Sequence, residues 1–174
     1  MATVDEVAQI AAAIQEEVAL QLGPPPEGVV SRSQHILPRA LTTRTRAYIE
    51  RVANQINGTY ESGYSDACAV MMRRLVETLI IETFEAKGLA DTIKNAAGDF
   101  MFLNDLIAKA LDESSWNLSR NCKRALPRLK DMGDKSAHSR RYNAYPIEIE
   151  KLAPHVRVVA QELINIAGLQ TPHK

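Results

Sequence analysis

The chain has 174 residues, 45% of them apolar and 24% charged, and its formal net charge is zero. That is ordinary composition for one globular domain with a real core, and nothing global marks it as a nucleic-acid or membrane binder. Aromatic residues are only 5%, so the core has to be built mainly from Leu, Ile, Val, Ala and Met.

Residues 3–22 read as an amphipathic helix. Thr3 and Glu6 form a capping-box pattern, and Val7, Ile10, Ala11, Ile14, Val18 and Leu22 fall on one face. This segment carries four acidic residues, Asp5, Glu6, Glu16 and Glu17, and no basic one. Gly23-Pro24-Pro25-Pro26 stops it, and 23–41, with four of the eight prolines, reads as an extended linker. The first helix is therefore a candidate arm, packing on a partner rather than on its own domain.

Residues 42–57 read as the next helix, with Tyr48, Ile49, Val52 and Ile56 on one side and Gly58 as its C-terminal cap. The strongest helix spans 65–87. Its apolar residues, Cys68, Met71, Leu75, Leu79 and Met72, Val76, Ile80, cover two adjoining faces, which places it centrally in a bundle. Gly98-Asp99 is expected to open another helix, with Asp99 as N-cap and Leu103, Leu106, Ile107 and Ala110 inward. Ser114-Ser115 is expected to start the next, which Pro127 kinks or divides. The last runs from about Pro146 to Ala167, with Pro154 bending it, Gly168 ending it, and a frayed tail to Lys174. Trp116 reads as a core anchor. No β-alternating run is found, so the fold class is all-α, about five core helices plus the arm helix.

Other features bound the chemistry. Cys68 and Cys122 lie in helical patterns, with no C-x-x-C and no His-rich tract. Two buried thiols in a reducing cytosol are expected, with no metal site and no cofactor. The chain opens without a basic region followed by an apolar run, so no secretory signal is expected. No stretch approaches the eighteen or so apolar residues of a membrane span. Gly-rich phosphate loops, G-x-S-x-G and H-E-x-x-H are missing, and His35, His155 and His173 stand isolated.

The charge is unevenly placed. Between Arg120 and Arg141, eight basic residues (Arg120, Lys123, Arg124, Arg128, Lys130, Lys135, Arg140, Arg141) face two acidic ones, Asp131 and Asp134. If the helix is continuous, Arg120, Arg124, Arg128 and Asp131 share one helical face. Such a stripe is the footprint of a phosphate-bearing partner. It is also what a solvated helix face, or a dock for an acidic segment such as the arm helix, looks like. Two further constellations stand out. Arg73 or Arg74 with Glu77 is either a clamp between helices or an arginine aimed at an anion. Lys135, His138 and Arg141 gather at a helix end, where the histidine can grip or protonate a phosphodiester or simply lock a neighbouring helix. Ser136 and Ala137 are small enough for another helix to approach closely.

Taken together, Ala67-Cys68-Ala69-Val70-Met71-Met72-Arg73-Arg74-Leu75-Val76-Glu77 and Gly133-Asp134-Lys135-Ser136-Ala137-His138 resemble a bacterial family of unknown function. That family occurs alone or attached to restriction-type DNA-processing subunits and is grouped with the HEPN superfamily. The resemblance covers roughly 43–168. It implies four or five antiparallel helices that often dimerise through the motif helix. For many HEPN proteins it also implies metal-independent RNA cleavage by an arginine and a histidine separated by four to six intervening residues. Here His138 matches the histidine, Asp134 matches the polar residue after the arginine, and Gly133 stands in the arginine's place.

The expected organisation is thus an arm helix (1–22), a linker (23–41), a HEPN-like domain (42–168) and a tail (169–174). The expected function is a non-catalytic, cytoplasmic, homodimeric module in prokaryotic defence or stress response. It would bind RNA or DNA through Arg120, Arg124, Arg128, Lys135, Arg140 and Arg141, or a protein through 1–22. The alternatives are a divergent ribonuclease using His138 and Asp134, and a structural assembly subunit.

Overall fold

A computed structural model describes residues 35–170 together with residues 3, 7 and 9–14. Among these residues there is no β-strand, only an isolated bridge between Lys94 and Phe100. The helices are α1 (Arg39–Thr42), α2 (Ala47–Glu61), α3 (Ser65–Ala86), a 3-10 turn (Ala90–Ile93), α4 (Leu103–Asp112), α5 (Arg120–His138) and α6 (Pro146–Ala167). None is long and apolar enough to cross a membrane. The rest of the expected arm helix, the linker up to residue 34 and the tail from residue 171 lie outside the described residues. Residues 9–14 are helical, and Val7, Ile10 and Ile14 are 55%, 58% and 55% exposed.

Side-chain pairings set the direction of each helix. Tyr48 at the start of α2 donates its hydroxyl to Glu82 near the end of α3. Arg73 of α3 meets Asp134 of α5, and Phe84 meets Trp116 edge-on at 4.9 Å just before α5. Ser119 before α5 meets Glu162 late in α6, and Tyr60 late in α2 meets Glu150 early in α6 at 2.6 Å. Helices α2 and α5 therefore run one way, and α3 and α6 the other. Helix α3 packs against α2, α4, α5 and α6. Its Cys68, Ala69, Met72, Leu75, Val76, Leu79, Ile80 and Phe84 are buried, the wide apolar arc of a central helix.

Several boundaries differ from the sequence-based expectation, each for a local reason. Helix α2 starts at Ala47, because 43–46 turn sharply through Arg44 at φ 68, whose N–H donates to Glu50 Oε1 at 2.8 Å. It runs straight through Gly58 and ends before Gly63, which takes the left-handed φ of 78. Helix α4 starts at Leu103 rather than near Asp99. Asn95 Oδ1 accepts from the N–H groups of Ala97 and Asp99 at 2.9 and 3.0 Å, and this side-chain turn displaces helix there. Helix α5 starts at Arg120, where Ser119 Oγ caps Cys122 N at 3.1 Å, while Ser115 N is taken by Glu113 at 2.8 Å.

Pro127 does not divide α5, and Pro154 lies within α6. Each proline, and the residue four before it, sits on an exposed face, so the carbonyl that loses its partner is not entombed. Helix α6 ends as expected, at Gly168 with φ 62. The core also reaches back into the segment read as linker. Ile36 and Leu37 are fully buried, and buried Asn57 accepts from Leu37 N at 3.0 Å and donates to Leu37 O at 2.9 Å.

Candidate functional site

The Gly133–His138 stretch forms the last turns of α5, against the middle of α3. The tightest approach between these helices is at Gly133, which is buried; the Ser136 hydroxyl is also buried, whereas Ala137 is exposed. A Cβ at position 133 would lie 2.5 Å from Arg73 Cβ and 2.9 Å from its Cδ. The stem of Arg73 therefore lies across the place where position 133 would carry a side chain.

From there the Arg73 guanidinium reaches two carboxylates. Its Nε donates to Asp134 Oδ1 at 2.6 Å and its Nη1 to Glu77 Oε2 at 3.3 Å. Lys130, one turn before Asp134, donates to the other oxygen, Oδ2, at 2.7 Å. The bond that joins α3 to α5 is thus Arg73–Asp134, with Glu77 bracing the guanidinium from within α3, while Arg74 is exposed and pairs with no carboxylate among the described residues. Burial pushes the Asp134 carboxyl up, but the hydrogen bonds and charges of Lys130 and Arg73 outweigh it, so its pKa is lowered. A lowered carboxylate stabilises the fold above its unfolded pKa, and that contribution is lost as pH falls through the folded one. The urea midpoint should therefore drop as pH falls below about 4, and Asp134→Asn should flatten the drop. An unchanged acid limb in Asp134→Asn would rule the clamp out as its source.

His138 is the last residue of α5 and is exposed, one turn beyond Asp134. Among the described residues none hydrogen-bonds to its ring. Arg140 and Arg141 follow, both exposed, in a connection tied down at its far end. There Ala144 N donates to Asp66 at 2.9 Å, and the Tyr142 hydroxyl donates to Glu148 at 3.1 Å. The two catalytic candidates, His138 and Asp134, thus sit on one face with both Asp134 oxygens already occupied and no group orienting His138. What this end of α5 offers a ligand is positive charge.

That charge continues along the helix. Arg120, Lys123, Arg124, Arg128, Lys135, Arg140 and Arg141 are all exposed. Among the described residues, only Lys130 of the eight basic residues in 120–141 pairs with a carboxylate. Arg124 donates to Asn121 Oδ1 at 3.1 Å, and Arg128 Nη1 lies 3.3 Å from His155 Nε2 on α6. His155, isolated in sequence, is the site residue that sequence reasoning missed. Only the antiparallel pairing of α5 and α6 brings it in.

Other chemistry has little support. Burial pushes the Cys68 and Cys122 thiols up to about 12, so neither is a ready nucleophile. No cluster of potential metal ligands occurs among the described residues. An open cleft of about 340 Å³ lies between Ser119, Glu162 and Asn165, where Glu162 accepts from the N–H and hydroxyl of Ser119. It sits at the opposite end of α5 from His138, about 28 Å away at 1.5 Å per residue. No protein-family model, no curated protein and no solved structure matches the chain.

Proposed function

We propose that the chain is a non-catalytic, HEPN-like helical module that binds the phosphate backbone of a nucleic acid through the outer face of α5. The observation that carries this reading is the run of exposed cations without carboxylate partners from Arg120 to Arg141. A solvated structural face ordinarily intersperses both signs, whereas here seven exposed cations share the stretch with one exposed acid, Asp131. The state of the motif supports the non-catalytic part. The place of the family's arginine is a glycine covered by the Arg73 stem, and the Arg73 guanidinium is engaged by Asp134 and Glu77. Pairing of two copies and a setting in prokaryotic defence or stress response rest on the resemblance alone.

The test is binding of a labelled oligonucleotide as a function of salt. The wild type should bind with a steep salt dependence. Replacing Arg120, Arg124 and Arg128 together by Ala should reduce the slope of log K against log salt by about 2 to 3, just under one unit for each phosphate contact. Salt-independent binding, or none, would leave the assembly-subunit reading. One observation favours a second reading: His138 is exposed beside Lys135, Arg140 and Arg141. RNA cleavage in chelator by pure protein, lost in His138→Ala, would replace the binding module by a divergent ribonuclease.

A further inference from the structure

Helices α5 and α6 lie antiparallel, with Ser119 level with Glu162 and Arg128 level with His155. Between those levels the seam carries Arg124 and Arg128 on one side and His155 on the other. These two arginines are the charged groups that act on His155. Lys151, one turn earlier on α6, adds a further exposed cation on the same face. The carboxylates on that face of α6 are two turns away in either direction, about 10 Å, and both are engaged. Glu148 accepts from the Tyr142 hydroxyl and Tyr145 N, and Glu162 accepts from Ser119.

A guanidinium nitrogen only donates. At 3.3 Å from Arg128 Nη1, His155 Nε2 can therefore serve that contact only as acceptor, which requires a neutral imidazole with its proton on Nδ1. Burial first, then Arg128 and Arg124, lower its pKa. An oxyanion entering the seam reverses this balance. It accepts from the guanidinium groups, and a protonated Nε2 becomes a third donor instead of a third repelling charge.

We infer that the seam between α5 and α6 is an anion site in which Arg124, Arg128 and His155 hold one phosphate of a bound nucleic-acid strand, His155 taking a proton from solvent as the phosphate arrives. This rests on the nucleic-acid reading above and locates its anchoring point. It also makes binding pH-dependent, with a defined sign. The free ring resists protonation and the occupied ring accepts it, so affinity rises as pH falls through the histidine range.

The experiment is a binding titration of the whole chain with a short single-stranded oligonucleotide. Its phosphodiesters do not titrate in this range. Inorganic sulfate serves as the small-anion arm, and NMR follows the His155 ring proton, assigned with His155→Gln. The wild type should bind the strand about fivefold more tightly at about pH 5.5 than at about pH 7.5 for each unit by which the strand raises the ring's proton affinity, about tenfold being the limit at lower pH. His155→Gln keeps an acceptor for Arg128 but cannot titrate, so it should lose most of that gain. Arg128→Gln should weaken binding about fivefold to tenfold at low salt at both pH values.

A pH gain that persists in His155→Gln, or disappears instead in His138→Gln, overturns the site. So does a His155 ring signal that ignores the strand. Sulfate binding at His155 without strand binding overturns the nucleic-acid assignment. No strand binding at any salt defeats the underlying functional reading, whereas strand binding with a silent His155 defeats only the seam.

Discussion

Gly133→Ala should destabilise the protein by about 2 kcal/mol, although alanine is the better helix former by about 1 kcal/mol. The added Cβ would meet Arg73 Cβ at 2.5 Å, and that atom is fixed to the α3 backbone, so no rotamer change relieves the contact. Helices α3 and α5 would have to move apart, and the 2.6 Å bond from Arg73 to Asp134 would be stretched with them. Denaturant unfolding reads the loss directly. In an Arg73→Gly background the obstructing stem is gone, and the same alanine should be neutral or mildly stabilising. The coupling between the two positions would then be about 2 to 3 kcal/mol. A Gly133→Ala protein as stable as wild type would show that the interface yields freely and would remove this account. Arginine at position 133 should cost several kcal/mol, a large share of an ordinary domain's stability.

Asn57→Ala should cost about 2 to 5 kcal/mol. Asn57 is 2% exposed, and its amide satisfies both the N–H and the carbonyl of Leu37. Truncation leaves two backbone groups without partners beside the fully buried Ile36 and Leu37, at about 1 to 3 kcal/mol each. Unfolding in urea would measure the total, and amide exchange at Leu37 would show whether the segment before α1 detaches first. A loss below about 1 kcal/mol would mean that water readily replaces the side chain and that this segment is peripheral to the fold.

The positions of the long helices were legible wherever apolar spacing was regular. Helix α6 matches its pattern from Pro146 to Ala167, and α3 shows the broad apolar face of a central helix. The helix starts were less legible, because side-chain turns compete locally with helix. Asn95 holds the chain before α4, Glu113 takes Ser115 N, and the real cap is Ser119. Gly58 looked like a stop and is helix interior, since the next left-handed residue is Gly63. The basic face of α5 was readable for the same reason as the long helices, because Arg120, Arg124 and Arg128 repeat at the helical period.

What the sequence by itself determined about this protein is therefore its all-α class, the order of its main helices and the one-sided charge of α5, all properties of a single helix and its period. Only the tertiary structure decided that the Arg73 stem lies over Gly133, that Lys130 and Arg73 share Asp134, and that His155 faces Arg128. Those pairings join positions 27 to 61 residues apart, apart from the Lys130 bond within α5. They depend on how far one antiparallel helix is slid along another, and a repeat along one helix carries no information about that register.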